Sequence, residues 1–157
     1  MGVICLTYER LLIESEKKKL KVLEKPLWHS DGRILGDRIA IRNTIDTTKE
    51  KACALAEEIG HHDTTVGDIL DQTISWNRKQ ERQARIEAYN IMIGLTGIIQ
   101  AFEHGCRNKY EMAEYLDVTE SFLTEALEIY EQIYGCRTMI GSYLIQFIPN
   151  LGVAKLI

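Results

Sequence analysis

Apolar residues recur at helical spacing in five stretches of this chain and alternate with polar ones between the first two. Leu11, Leu12 and Leu20, set among Glu and Lys, predict a short amphipathic helix over 8–19. Residues 20–24 alternate weakly, as a strand would, and Pro26 ends them. Asp31-Gly32 and Gly36-Asp37 are turn signals. Between and after them lie Arg33-Ile34-Leu35 and Arg38-Ile39-Ala40-Ile41-Arg42, the second alternating apolar and basic like a half-buried strand. A small antiparallel sheet is therefore expected over 20–43.

Thr47-Thr48-Lys49-Glu50 has the form of a capping box, in which the Thr side chain and the Glu side chain satisfy each other's backbone N–H groups. Ala52, Leu55, Ala56 and Ile59 follow at helical spacing, so a helix is expected over about 48–61 with one face buried. Asp63 to Asp68 read as a polar loop. A long helical pattern runs from about 76 to 102 through Ala84, Ala88, Ile91, Leu95 and Ile98, with Gly94 and Gly97 placed to break or tighten it and Gly105 to stop it. Helices are expected over 110–116 and 119–134, with Thr119 as N-cap and Gly135 as stop, and a last strand over 143–147.

Composition adds bounds. With 45% apolar and 27% charged residues over 157 positions, the chain is ordinary globular protein rather than disordered. Its expected organisation is a main domain over 1–105 and an acidic helix-turn-helix-like lobe with a tail over 106–157, packed as one compact unit. No apolar run approaches the ~20 residues needed to span a bilayer, so no membrane association is expected. The apolar start is too short for a signal peptide, and Leu6 stands where a myristoylation signal has Ser or Thr. Cys5, Cys53, Cys106 and Cys136 form no tight pair, which predicts reduced, mostly buried thiols in a cytoplasmic protein.

Charge decides against DNA. Residues 108–135 look like a helix-turn-helix but hold seven acidic residues against Lys109 alone, a net of −6. Phosphate contacts dominate DNA affinity, and such a surface repels them. An interaction lobe facing a basic protein surface fits better.

The chemistry gathers in Glu57-Glu58-Ile59-Gly60-His61. A zinc-peptidase helix carries two ligands four residues apart, on one face, with a Glu beside the first to take a proton from the metal-bound water. Here Glu57 and His61 hold the ligand positions and Glu58 the base position. Glutamate replaces histidine as a ligand at similar distance, but adds charge and widens tolerance toward manganese or another divalent ion. The third ligand is expected from the next helix, at Glu81, with Glu87 at a different angle as the fallback. His62 is a neighbouring alternative that more often lies at the surface. His29 and His104 are isolated and read as structural or exposed, and Trp76 as a packing anchor.

Several of these features together resemble the ImmA/IrrE family of metallopeptidases. Leu55-Ala56-Glu57-Glu58-Ile59-Gly60-His61 is similar to its HELGH helix with one substitution, and the segment from Glu81 to Met92 resembles its ExxAxxFAxxLL element. Residues 61–69 are similar to a phage or mobile-element branch. Glu87 stands where the family usually has an aromatic residue. The resemblance implies an α+β, mainly helical, zincin-like metallopeptidase fold with a small antiparallel sheet and a C-terminal helical lobe. It implies Zn2+ or a related ion on Glu57, His61 and Glu81, with Glu58 as base. It also implies a role in lysogeny control through a helix-turn-helix repressor. Two functions follow as expectations. One is a zinc-dependent endopeptidase that cuts the repressor. The other is a catalytically impaired binding module on the same fold that sequesters a regulatory protein.

Overall fold

The computed structural model describes residues 6–64 and 74–157, with side chains in the second stretch from 76 onward. The apolar start, Cys5, the greater part of the expected polar loop and most of the 61–69 signature lie outside the described residues. The chain divides into two compact units, 6–91 and 92–157.

The first unit begins with α1 (Tyr8–Lys17), whose N-cap Thr7 accepts from the Arg10 backbone N–H. Three short strands follow, β1 (Lys21–Lys25), β2 (Gly32–Leu35) and β3 (Arg38–Arg42), in the spatial order β1-β3-β2. β2 and β3 form the expected antiparallel hairpin across Gly36-Asp37. β1 differs from expectation, because it runs parallel to β3 with Val22 opposite Ile39. The chain between β1 and β2 crosses to the far side of β3, so the sheet is mixed. Ile39 and Ile41 of the central strand are buried, as its alternation requires.

α2 (Thr48–Thr64) carries Ala52, Leu55, Ala56 and Ile59 into the core against β2, β3 and α1. Its capping box forms as expected. The Glu50 N–H donates to Thr47 Oγ1 at 3.2 Å, and the Thr47 N–H donates to Glu50 Oε2 at 3.3 Å. The helix runs three residues past the expected end, through His62, Asp63 and Thr64. Glu24 of β1 ties this half together, accepting from the Tyr8 hydroxyl at 3.2 Å and from Lys51 Nζ at 2.8 Å.

α3 (Ile74–Met92) brings buried Ala84, Ala88 and Tyr89. The small residues matter, since a Cβ on Gly60 of α2 would collide with the Ala84 carbonyl oxygen. Glycine at 60 and alanine at 84 thus set how closely α2 and α3 approach. Trp76 leaves 51% of its surface exposed, which corrects the expectation of a packing anchor.

The expected long helix over 76–102 breaks at Gly94, which takes a φ of +61° that other residues avoid. The second unit starts there with α4 (Gly94–His104), closed by left-handed Gly105. α5 (Lys109–Leu116) and α6 (Glu120–Tyr134) follow, capped by Asn108 and Thr119. His104 stacks on Tyr115 with ring centres 4.3 Å apart. Three strands complete the unit, β4 (Arg137–Ile140), β5 (Tyr143–Gln146) and β6 (Gly152–Lys155), in an antiparallel meander. Only β5 was expected. Ile98, Leu123, Tyr130 and Ile145 form the core here. Of the described cysteines, Cys53 is buried, Cys106 half-buried and Cys136 exposed, so burial of the thiols is less general than expected. No described helix is long and apolar enough to cross a membrane.

Candidate functional site

The sequence-predicted site residues lie on α2 and α3 within the first unit. Helical spacing puts Glu57 and His61 on one face of α2, and the close contact at Gly60 and Ala84 brings α3 alongside. His61 Nε2 then stands 3.3 Å from Glu81 Oε2. Glu87 makes no hydrogen bond or ion pair to these groups among the described residues. His62 turns away, with Nδ1 3.0 Å from Asp63 Oδ1. Burial raises the Asp63 carboxyl, but Lys18 and His62 outweigh it and hold Asp63 below its ordinary range.

Glu58 lies against β2. A Cβ on Gly32 would meet its side chain at 2.7 Å, so the strand has a glycine where the carboxylate arrives. The carboxylate accepts the backbone N–H of Ile34. The register explains why that amide is available. The Arg42 N–H donates to the Asp31 carbonyl at 2.8 Å, which makes 31/42 a hydrogen-bonded pair. Alternation then turns 33 and 35 toward β3, and Gly32 and Ile34 toward the free edge of the sheet. Burial pushes the Glu58 carboxyl up to about 7, and the charges of Glu57 and Glu81 add to the rise more than the Ile34 bond opposes it.

Arg85, which the motif does not include, lies beside Glu81. Its Nε–H donates to Glu81 Oε1 at 3.2 Å. Burial lowers the Arg85 pKa, but the charges of Glu57 and Glu81 and the bond to Glu81 more than restore it, with Tyr89 adding to the effect. The spacing of Glu81 and Arg85, one helical turn apart, was the signal that could have found it.

Glutamate, histidine and glutamate are donor types that suit zinc. Among the described residues, no three His, Cys, Asp or Glu side chains form a group that could hold a metal ion, although His61 and Glu81 stand 3.3 Å apart. Glu81 is committed instead to His61 and Arg85. What the arrangement offers is a protonatable carboxylate at a sheet edge, backed by two carboxylates and a guanidinium.

A comparison with curated proteins found no match. A family model does match, that of the IrrE N-terminal-like domain, Peptidase_M78, over residues 15–128. That span takes in β1 to β3, Glu57, Glu58 and His61 on α2, Glu81 and Arg85 on α3, and α4 and α5. The match covers well over half of the chain, and the chain belongs to the IrrE N-terminal-like family of peptidase-type domains.

Proposed function

We propose that this chain is a peptidase-fold binding module that takes an extended segment of a regulatory protein along the free edge of β2 and sequesters that protein. The observation that carries this reading is the Glu58 carboxylate on the outward N–H of Ile34. An incoming strand would take that amide over from Glu58, and strand addition to a sheet edge is a general mode of peptide recognition. Leu35, at the end of the edge, leaves 80% of its surface exposed for such a contact. Family membership supports a protein partner, and the helix-turn-helix repressor of a phage or mobile element is the partner we assign, acting in lysogeny control. The exposed acidic face of α5 and α6, with Glu114, Glu120, Glu125, Glu128 and Glu131, suits the basic surface of a DNA-binding protein.

A second reading is a zinc-dependent endopeptidase that cuts the same repressor, with Glu57, His61 and Glu81 as ligands and Glu58 as base. The observation that favours it is the Glu58 carboxyl near 7, where a general base works well.

Incubation with the purified repressor, followed by titration calorimetry and intact-mass analysis, separates the two. A stoichiometric complex with the repressor intact supports the binding module. Cleavage by wild type but not by Glu58→Gln replaces it with the peptidase. Neither complex nor cleavage sinks both.

A further inference from the structure

Glu57 and Glu81 lie near enough to the half-buried Glu58 for their charges to act on it, and such neighbours call for a counter-charge close by. Arg85 provides one. Its Nε–H donates to Glu81 Oε1 at 3.2 Å, and it lies near enough to Glu57 of α2 for the two charges to act on each other. The first contact alone would be an ordinary pair one turn apart on a helix surface, which contributes little. The second is between helices and links Arg85 to the residue that replaces the expected histidine. A neutral imidazole at 57 would give a guanidinium nothing to pair with. A carboxylate there does, and it does so at the position where a divalent ion would otherwise balance the charge.

We infer that Arg85 is the resident cation of this site, pairing with Glu57 and Glu81 in place of a divalent metal ion. The inference rests on the reading of the site as a binding surface, and it concerns how the surface is held together. A guanidinium fixed beside these carboxylates also repels a second cation, so the wild-type chain resists metal as well as dispensing with it. His61 completes the arrangement from the α2 side through its 3.3 Å approach to Glu81.

The test is metal content and metal affinity, not activity. The full chain is purified without added metal and analysed for zinc and manganese by mass spectrometry. Each ion is then titrated into wild type, Arg85→Gln and Arg85→Lys by calorimetry. The expected result is far less than one ion per wild-type chain and a thermal midpoint unmoved by chelator. Arg85→Gln, which leaves the carboxylates without their partner, should bind zinc about tenfold tighter or more, the scale of one close charge interaction. Arg85→Lys, which keeps the charge, should stay near wild type. Near-stoichiometric zinc in wild type, removed by chelator with a fall in thermal midpoint, overturns the inference. So does an Arg85→Gln chain that binds no tighter than wild type. Should Arg85→Gln fail to fold, the wild-type metal content and Arg85→Lys still decide. Repressor binding is measured separately, so zinc in a chain that still sequesters its partner would sink this inference and leave the binding reading standing.

Discussion

His61 Nε2 and Glu81 Oε2 stand 3.3 Å apart although they belong to different helices. What lets them meet is the close contact beside them, where Gly60 of α2, next to His61, lies against the Ala84 carbonyl of α3. Gly60→Ala places a methyl group in that contact, against backbone that cannot rotate aside. Overpacking of this kind costs about 1–3 kcal/mol. The expected result is a loss in that range in urea unfolding. A neutral substitution would show that the two helices are not held at this distance.

Glu58 gives the chain a pH signature. Its folded carboxyl is raised from 4.5 to about 7. Between those values the unfolded chain has released this proton while the folded chain still holds it, so stability falls as pH rises through the window. Below about 4.5 both states are protonated and the term vanishes. Glu58→Gln removes the buried charge. It should therefore stabilise the protein above pH 7 by about 1–2 kcal/mol, allowing for the screening that water still provides, and change little near pH 4. Urea unfolding of both proteins at several pH values reads this. A difference that is flat with pH would contradict the burial assigned to Glu58.

Tyr130 of α6 accepts the Gly94 N–H at 3.2 Å, at the break between α3 and α4. The hydroxyl is buried, and its pKa is raised by that burial. Tyr130→Phe keeps the ring and removes the acceptor, leaving the Gly94 amide to find another partner. The expected cost is about 1–2 kcal/mol in thermal or urea unfolding. No loss would mean that water replaces the hydroxyl.

The capping box at the start of α2 ties Thr47 to Glu50. Thr47→Ala removes the acceptor of the Glu50 N–H, at an expected cost of about 1 kcal/mol. An unchanged unfolding midpoint would show that solvent caps the helix as well.

That capping box was legible because it is local, as were the caps at Thr119, Gly105 and Gly135. Each depends on residues within one turn. The buried face of α2 was legible from helical periodicity, whereas Glu81 stood out by the small residues at 84 and 88 and by its resemblance to the family's second helix. The parallel pairing of β1 was not, since strand direction depends on where the chain crosses and not on alternation. The strands at Arg137–Ile140 and Gly152–Lys155 were missed for different reasons. The first pairs with β5 across Gly141-Ser142, a two-residue turn of the glycine-first kind that the sequence displays. The second, Gly152-Val153-Ala154-Lys155, has too little pattern to stand out. Within the site, Glu57, Glu58 and His61 drew notice by motif. Arg85 and the Gly32–Ile34 edge did not, because their part comes from tertiary proximity to the carboxylates.

In the proposed function, this peptidase-fold site binds its protein partner without a metal ion. Titrating the repressor into the chain after exhaustive chelation tests it most directly. Stoichiometric binding is expected, with an affinity that added zinc does not raise and a repressor of unchanged mass at the end. Binding that vanishes on chelation and returns with zinc would contradict it.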